Sequence, residues 1–215
     1  MGTAGAAALG IAVSPIPALA VAALLGSTGN VRVATAFVAG EALAVGAITA
    51  LVVVLAAGSL ERSADFPLAV VQLGIGILFV LLLIAHARAT RDEPASARVL
   101  AALDGVRAPV AFFSGAAMVA VNPKNLALAL AGGAAILEMD QTGSVAAAAV
   151  FAFAAVAVSV LVAEIAAYAL SPTRGARLLA RGRDVTLRHE RVVVNVVLLG
   201  LAALFVTRGL LDLLR

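Results

Sequence analysis

The sequence predicts an all-α integral membrane protein in which six transmembrane helices form two inverted three-helix repeats, with helices 1 and 4 broken at prolines. Composition is the first reason, because 63% of the 215 residues are hydrophobic and only 13% are charged. Soluble domains are about 45–50% apolar and about 25% charged, so this chain cannot cover a globular surface with polar groups. The other two reasons are six apolar segments of membrane-crossing length and an internal repeat.

The six apolar segments each have the length of a membrane-spanning helix, which needs roughly 20 mostly apolar residues. Polar, charged, glycine or proline residues separate the segments, as expected where a chain leaves the bilayer. The segments cover residues 5–25, 33–57, 68–86, 110–136, 144–170 and 191–211. We therefore expect a multi-pass protein of the inner (plasma) membrane.

The arginines predict how these segments are oriented. Eleven arginines lie in the first, third and fifth loops, and only three lie on the opposite side. Positively charged loops stay in the cytoplasm, so both termini are predicted outside. In the fifth loop, Arg177, Arg181 and Arg183 also suit the anionic head groups of membrane lipids. A topology signal alone explains these three arginines equally well.

An internal repeat relates the two halves of the chain. Seven of eleven positions agree between residues 70–80 and residues 196–206. Ser14-Pro15 in segment 1 also corresponds to Asn122-Pro123 in segment 4. Segment 1 then pairs with segment 4 and segment 3 with segment 6, and three crossings per half make the repeat inverted, as in many transporters. The predicted units are a first repeat, a cytoplasmic loop and a second repeat, over residues 1–87, 88–109 and 110–215.

Prolines in the middle of segments 1 and 4 predict breaks in these helices. A proline inside a helix lacks an N–H and frees the carbonyl four residues earlier. Pro15, Pro17 and Pro123 would free the carbonyls of Ile11, Val13 and Val119, respectively. Such carbonyls need protein or water around them in a membrane. We expect a central cavity lined by residues 14–17 and 122–125, although a packing kink would leave the same pattern.

Lys124 is the most informative single residue, because it is the one lysine of the chain and lies near the middle of segment 4. A cation at the bilayer centre costs about 2.5–3.5 kcal/mol on insertion scales, so it normally faces a cavity or a partner. Together with Asn122 and Asn125, Lys124 could bind an anionic head group or exchange a proton. A purely structural ion pair is the alternative.

Two acidic residues are candidate partners for Lys124. Glu41 lies roughly 12 Å into segment 2, close to mid-membrane, whereas Glu164 is near the cytoplasmic end of segment 5. Depth favours Glu41, which we include in the predicted site with Ser14. One carboxylate is too few for a hard metal cation, which prefers six or more oxygens. With no cysteine and two histidines in the chain, we expect neither a metal nor a cofactor.

The chain resembles the lysine-exporter superfamily, and within it the sulfolipid- or glycopeptidolipid-addressing (GAP, Sap-like) proteins. The matching motifs are Ser-Pro-Ile-Pro at 14–17, Ala-Phe-Val-Ala-Gly at 36–40 and Asn-Pro-Lys-Asn-Leu at 122–126. This resemblance covers the six-helix plan. It implies a small inner-membrane protein that helps to export cell-envelope glycolipids, while other members of the superfamily export amino acids or metal cations.

Three kinds of function remain open at this point. The first is a transporter or export factor for a lipid or another amphipathic envelope metabolite, with proton coupling as one way to drive it. The second is an exporter of a small solute, an amino acid or a metal cation. The third is a membrane scaffold, which itself transports nothing, for a larger lipid exporter. An enzyme is not expected, because no catalytic motif is visible. No nucleic-acid partner is expected, and a homo-oligomer is possible.

Overall fold

The structure is a computed structural model, and all regular secondary structure in the part of the chain that it describes is helical. The residues described are 2–60, 73–74, 76–77, 80–81, 83–84, 103, 105–139, 143–175, 177, 179, 192, 195–196, 199–200, 202–203, 205–207 and 209–211. Seven helices have defined bounds within these residues. Three precede residue 61 and four follow residue 107.

The first half contains α1 (Gly2–Ala12), α2 (Pro15–Thr28) and α3 (Val31–Leu60). α2 ends at Gly29, whose positive φ of 59° suits a glycine and lets its N–H donate to the carbonyl of Leu25. The side-chain oxygen of Asn30 then accepts the N–H of Arg32 at 3.0 Å and so supports the first turn of α3. Glycine and asparagine thus separate α2 from α3 within two residues.

The second half contains α4 (Ala108–Val121), α5 (Pro123–Leu137), α6 (Gly143–Ala157) and α7 (Ser159–Leu170). A proline stands in the first turn of both α4 and α5, where a missing N–H costs no helical hydrogen bond. One residue, Asn122, separates α4 from α5, and one residue, Val158, separates α6 from α7.

Helix length and composition support at least one membrane span and at most four among the described residues. The clear candidate is the part of α3 from Val31 to Val54. The other three are bent pairs of helices, each counted as one span: α1 with α2 at 42°, α4 with α5 at 77°, and α6 with α7 at 52°. Predicted segments 3 and 6 are described only in part, and the residues described within 73–84 and 192–211 are helical.

The sequence analysis predicted the breaks of segments 1 and 4 but missed a third break, in segment 5. No proline or glycine stands at Val158, where the backbone leaves the helix with φ −100° and ψ 4°. The hydroxyl of Ser159 donates to the carbonyl of Val156 at 2.8 Å, which bends a helix by competing for a backbone acceptor. A serine inside an apolar segment was the signal available in the sequence.

Buried residues form two clusters, one mainly from α1, α5 and α6 and the other mainly from α2, α3 and α4. α3 and α4 cross closely because both present a glycine. A side chain at Gly40 would collide with the carbonyl of Phe112, and one at Gly115 with the carbonyl of Phe37. This crossing holds Glu41, the residue after Gly40, against α4 about two turns before the α4–α5 break. Large apolar side chains such as Phe151 remain exposed, as expected beside lipid.

Candidate functional site

The two proline breaks meet inside the protein through Ser14 and Asn122, which correspond to each other in the predicted repeat. Both residues are buried. The side-chain amide of Asn122 donates to the hydroxyl oxygen of Ser14 at 3.4 Å, across 108 residues of sequence. Ser14 precedes the first residue of α2 and Asn122 precedes the first residue of α5. The two N-cap residues are therefore in direct contact.

The two N-cap residues make different hydrogen bonds. The side-chain oxygen of Asn122 accepts the N–H of Asn125 at 3.4 Å and so caps its own helix. Ser14 makes no side-chain hydrogen bond to α2. Its hydroxyl is directed towards Asn122 instead, so the contact between the halves replaces the local cap in the first half.

Lys124 is only 4% exposed, and its ammonium donates to the carbonyl of Gly10 at 2.7 Å. Gly10 belongs to the last turn of α1, where carbonyls lack a helical partner and the helix dipole favours a cation. A side chain of α5 thus satisfies one of the carbonyls at the end of α1. Lys124 is therefore buried, as its place in the predicted site requires, whereas Gly10 was not predicted as its acceptor.

The prediction that the carbonyl of Ile11 is free was wrong, because hydrogen bonding shifts by one residue at the break. The N–H of Ser14 donates to the carbonyl of Ile11 at 2.9 Å, so Ile11 is occupied. In a continuous helix this N–H would serve Gly10. The carbonyl of Gly10 is therefore the one left for Lys124. The signal in the sequence is only that Gly10 precedes Ser14 by four residues.

The expectation for Pro17 was also wrong. α2 begins at Pro15, so Pro17 stands in its first turn, where no N–H has a helical partner. The carbonyl of Val13 lies before this helix and is not one of its acceptors. Pro123 fits the expectation better, because it begins α5 and cannot donate to the carbonyl of Val119.

Glu41 and Asn125 bring unsatisfied polar atoms into the same interior. Glu41 is 1% exposed, and its Oε2 atom has no hydrogen-bond partner among the described residues. Asn125 is fully buried, and neither its amide nitrogen nor its amide oxygen has one. The charge of Lys124 acts on Glu41. Buried polar atoms without partners cost free energy, so they mark a place where a ligand, an ion or water is expected.

The remaining charged groups lie apart from this site or outside the described residues. Glu164 on α7 is only partly buried, and it is not the acid on which Lys124 acts. Arg177 is exposed, whereas Arg181 and Arg183 fall outside the described residues. Among those residues, no group of three histidine, aspartate or glutamate side chains is placed to hold a metal ion.

Sequence reasoning also missed Gly115 and Thr49. Gly115 permits the close α3–α4 crossing beside Glu41, and the run of small residues around it was the available signal. The hydroxyl of Thr49 is buried and donates to the carbonyl of Ala129 at 3.2 Å, tying α3 to α5. A lone threonine in an apolar segment gives no comparable indication of its partner.

The comparisons with known proteins agree with this picture at the level of the family. The family model described as Sap, sulfolipid-1-addressing protein, matches residues 6–211. No curated protein and no solved structure matches the chain. The family name implies a role in addressing a sulfolipid, and the apolar helices fit a membrane protein. With nearly the whole sequence matched, the chain belongs to the Sap, sulfolipid-1-addressing protein, family.

Proposed function

We propose that this protein carries an anionic, amphipathic envelope lipid across the plasma membrane, with the polar cluster at the two helix breaks as its head-group site. The cluster consists of Ser14, Glu41, Asn122, Lys124 and Asn125. The observation that carries the proposal is the Lys124 ammonium, which is buried at the point where two broken helices meet. A cation kept at this depth is costly and is usually retained for a substrate or an ion.

The donors of the cluster suit an oxyanion such as a sulfate or phosphate ester. An ammonium carries three N–H groups, and Lys124 uses one of them on Gly10. The amide nitrogen of Asn125 adds two more donors, neither of which has a partner among the described residues. Hydrogen bonds from an ammonium to an oxyanion are about twice as strong as neutral ones. We therefore assign the anionic part of the head group to Lys124 and Asn125.

The surroundings of the breaks suit a substrate with a lipid tail. Val13 is 53% exposed and Val121 is 73% exposed, yet the residue after each of them is buried. Lipid-facing valines thus adjoin the polar cluster in both halves. A head group can occupy the interior while its acyl chains stay in the bilayer. Arg177, exposed at the end of the described part of the fifth loop, suits the gathering of anionic lipids at the cytoplasmic surface.

We further propose that the protein has six spans, two inverted repeats, both termini outside and membership of the lysine-exporter superfamily. The contact between Ser14 and Asn122 supports the repeat, because matching residues meet each other at a two-fold axis. Helix breaks at a substrate site near the midplane are typical of transporters with inverted repeats. Single cysteines introduced into this cysteine-free chain test the orientation. Labelling of cysteines within 174–190 only from the external face of the membrane would contradict it.

Lipid analysis of a deletion strain tests the function. We expect an anionic envelope lipid to be lost from the cell surface and to accumulate inside the cell. The wild-type chain should restore it, whereas Lys124→Gln should restore less than about a tenth, because one charge-assisted hydrogen bond is worth about 1.5–3 kcal/mol. Arg32→Gln is the matched control, since it removes an exposed cation from α3.

Two outcomes of this experiment would favour other functions. Full restoration by a normally expressed Lys124→Gln variant would contradict the head-group site and favour a scaffold that recruits a larger exporter. Unchanged envelope lipids, with altered sensitivity to an amino acid or a metal cation, would favour the export of a small solute. Membrane yield has to be measured for each variant, because Glu41 loses its counter-charge when Lys124 is replaced.

A further inference from the structure

The buried cluster has a charge balance that an anionic ligand must change. Glu41 and Lys124 are the two ionisable residues of the cluster, and the field of each acts on the other. Together they are neutral when they share one proton, whether as carboxylate with ammonium or as carboxylic acid with amine. Both forms hold the same number of protons. A monoanion that enters this site brings one negative charge with it.

We propose that Glu41 is a proton-binding site linked to the head-group site, so that binding of one monoanion takes up one proton from solution. This inference rests on the proposed function, because it needs an anion at Lys124. The liganded cluster then holds an ammonium, the anion and a protonated Glu41, and it is again neutral. The proton comes from water on the side from which the ligand binds, and it leaves when the ligand leaves.

The cost of net charge in the interior drives this uptake. An unpaired charge in a low-dielectric environment costs several kcal/mol even after relaxation. Once the anion binds the ammonium of Lys124, a carboxylate at Glu41 would have no counter-charge. Its Oε2 atom also receives no hydrogen bond from the described residues. A protonated Glu41 removes the net charge and gains an O–H donor, which the unpartnered amide oxygen of Asn125 is chemically able to accept.

No other described side chain near Glu41 offers the missing charge. The helices packed against α3 are α2, α4, α5, α6 and α7. α2, α4 and α6 contain no titratable side chain, α5 contains Lys124, and α7 contains Glu164 and Tyr168. On α3 itself the other charged residue is Arg32, which is exposed in the first turn. Among the described residues, the proton balance therefore belongs to the pair Glu41 and Lys124.

Calorimetry with octyl sulfate tests the inference. The wild-type protein in lipid nanodiscs is titrated at one pH in buffers with different heats of ionisation, and empty nanodiscs supply the blank. The sulfate ester stays anionic near neutral pH, so protons taken up are bound by the protein. We expect uptake of about one proton per octyl sulfate bound, and an affinity that rises about tenfold for each unit by which the pH falls.

Variants locate the proton. Glu41→Gln should bind octyl sulfate with almost no proton uptake, whereas Glu41→Asp should retain it. Glu164→Gln is the matched control, because Glu164 also has an unpartnered carboxyl oxygen but is not the acid on which Lys124 acts. Its proton uptake should equal that of the wild type. The pH dependence of wild-type affinity keeps the test valid even if Glu41→Gln folds poorly.

The failures of the two proposals are distinguishable. Binding by the wild type without proton uptake, or undiminished uptake by Glu41→Gln, would overturn the linkage and leave the head-group site standing. A wild-type titration identical to that of Lys124→Gln would reject the head-group site and the linkage with it.

Discussion

The two proline breaks have the same backbone plan and opposite chemistry. In each half a valine, a buried polar N-cap and a proline follow one another, and a new helix begins at the proline. The first break supplies acceptors, the hydroxyl of Ser14 and the carbonyl of Gly10, whereas the second supplies donors from Asn122 and Lys124. The bend is also smaller in the first half, 42° against 77°. The two breaks are thus complementary, because the donors of one form hydrogen bonds with the acceptors of the other.

Replacing Lys124, which donates from the second break to the first, should have the largest effect on stability. Lys124→Met deletes the hydrogen bond to Gly10 and leaves Glu41 without its counter-charge. Breaking a buried charge pair from one side costs about 3–5 kcal/mol. The double variant Lys124→Met with Glu41→Gln should recover at least half of that loss, because no charge then remains. Unfolding in detergent measures both, and a double variant no more stable than Lys124→Met would show that the two residues are not coupled.

A methyl group at the α3–α4 crossing should have the next largest effect. In Gly115→Ala the new Cβ atom collides with backbone of α3, which cannot move aside as a side chain can. We expect a loss of about 3 kcal/mol, at the upper end of the usual cost of overpacking. Gly10→Ala in the first half should cost less, because its Cβ would meet only the flexible end of Leu128.

Gly5→Ala is the control for both glycine variants, since nothing lies within 4 Å of its Cβ position. Thermal stability and membrane yield measure the order Gly115→Ala, Gly10→Ala, Gly5→Ala. Equal losses for Gly115→Ala and Gly5→Ala would mean that the close crossing is absent in the membrane.

Replacing the two N-cap residues by alanine should cost stability in amounts that differ by about one hydrogen bond. Asn122→Ala removes the cap of α5 as well as the contact with Ser14, for a loss of about 2 kcal/mol. Ser14→Ala removes only the contact between the halves, for about 1 kcal/mol, because its side chain does not cap α2. Denaturant unfolding distinguishes the two. A more damaging Ser14→Ala would reverse the assignment of capping to the second half.

The break without a proline should be the least sensitive to its side chain. Ser159→Ala removes the hydrogen bond to the carbonyl of Val156. That acceptor lies next to the break, and an alanine favours a regular helix, so the net change should stay within about 0.5 kcal/mol. The 52° bend should also persist, so the distance between spin labels on either side of Val158 should not change. A changed distance would show that the hydroxyl alone maintains the bend. A loss above 1.5 kcal/mol would instead assign this serine a role comparable to that of the N-caps.

Features that depend on a residue's own chemistry could be predicted from the sequence, whereas features that depend on its hydrogen-bond partner could not. Proline chemistry is local, so the positions of the breaks at Pro15 and Pro123 were predictable. The free-energy cost of placing a charge in a membrane does not depend on knowing its partner. Lys124 and Glu41 could therefore be expected to face the interior of the protein. The acceptor of Lys124 depends instead on a one-residue shift of hydrogen bonding at Ser14, which the proline rule alone does not predict. The break at Val158 has neither a proline nor a glycine at its position, so the same local rule did not predict it.

The bond between Lys124 and Gly10 has a consequence for genetics. Its donor is a side chain, but its acceptor is a main-chain carbonyl that every substitution at position 10 retains. A scan of all single substitutions would therefore register Lys124 and remain blind to the group that it holds. Chemical synthesis can reach that group, because an α-hydroxy acid in place of Ile11 turns the carbonyl of Gly10 into an ester and weakens it as an acceptor. The donor of this hydrogen bond can be altered by mutation, and the acceptor only by a change to the backbone itself.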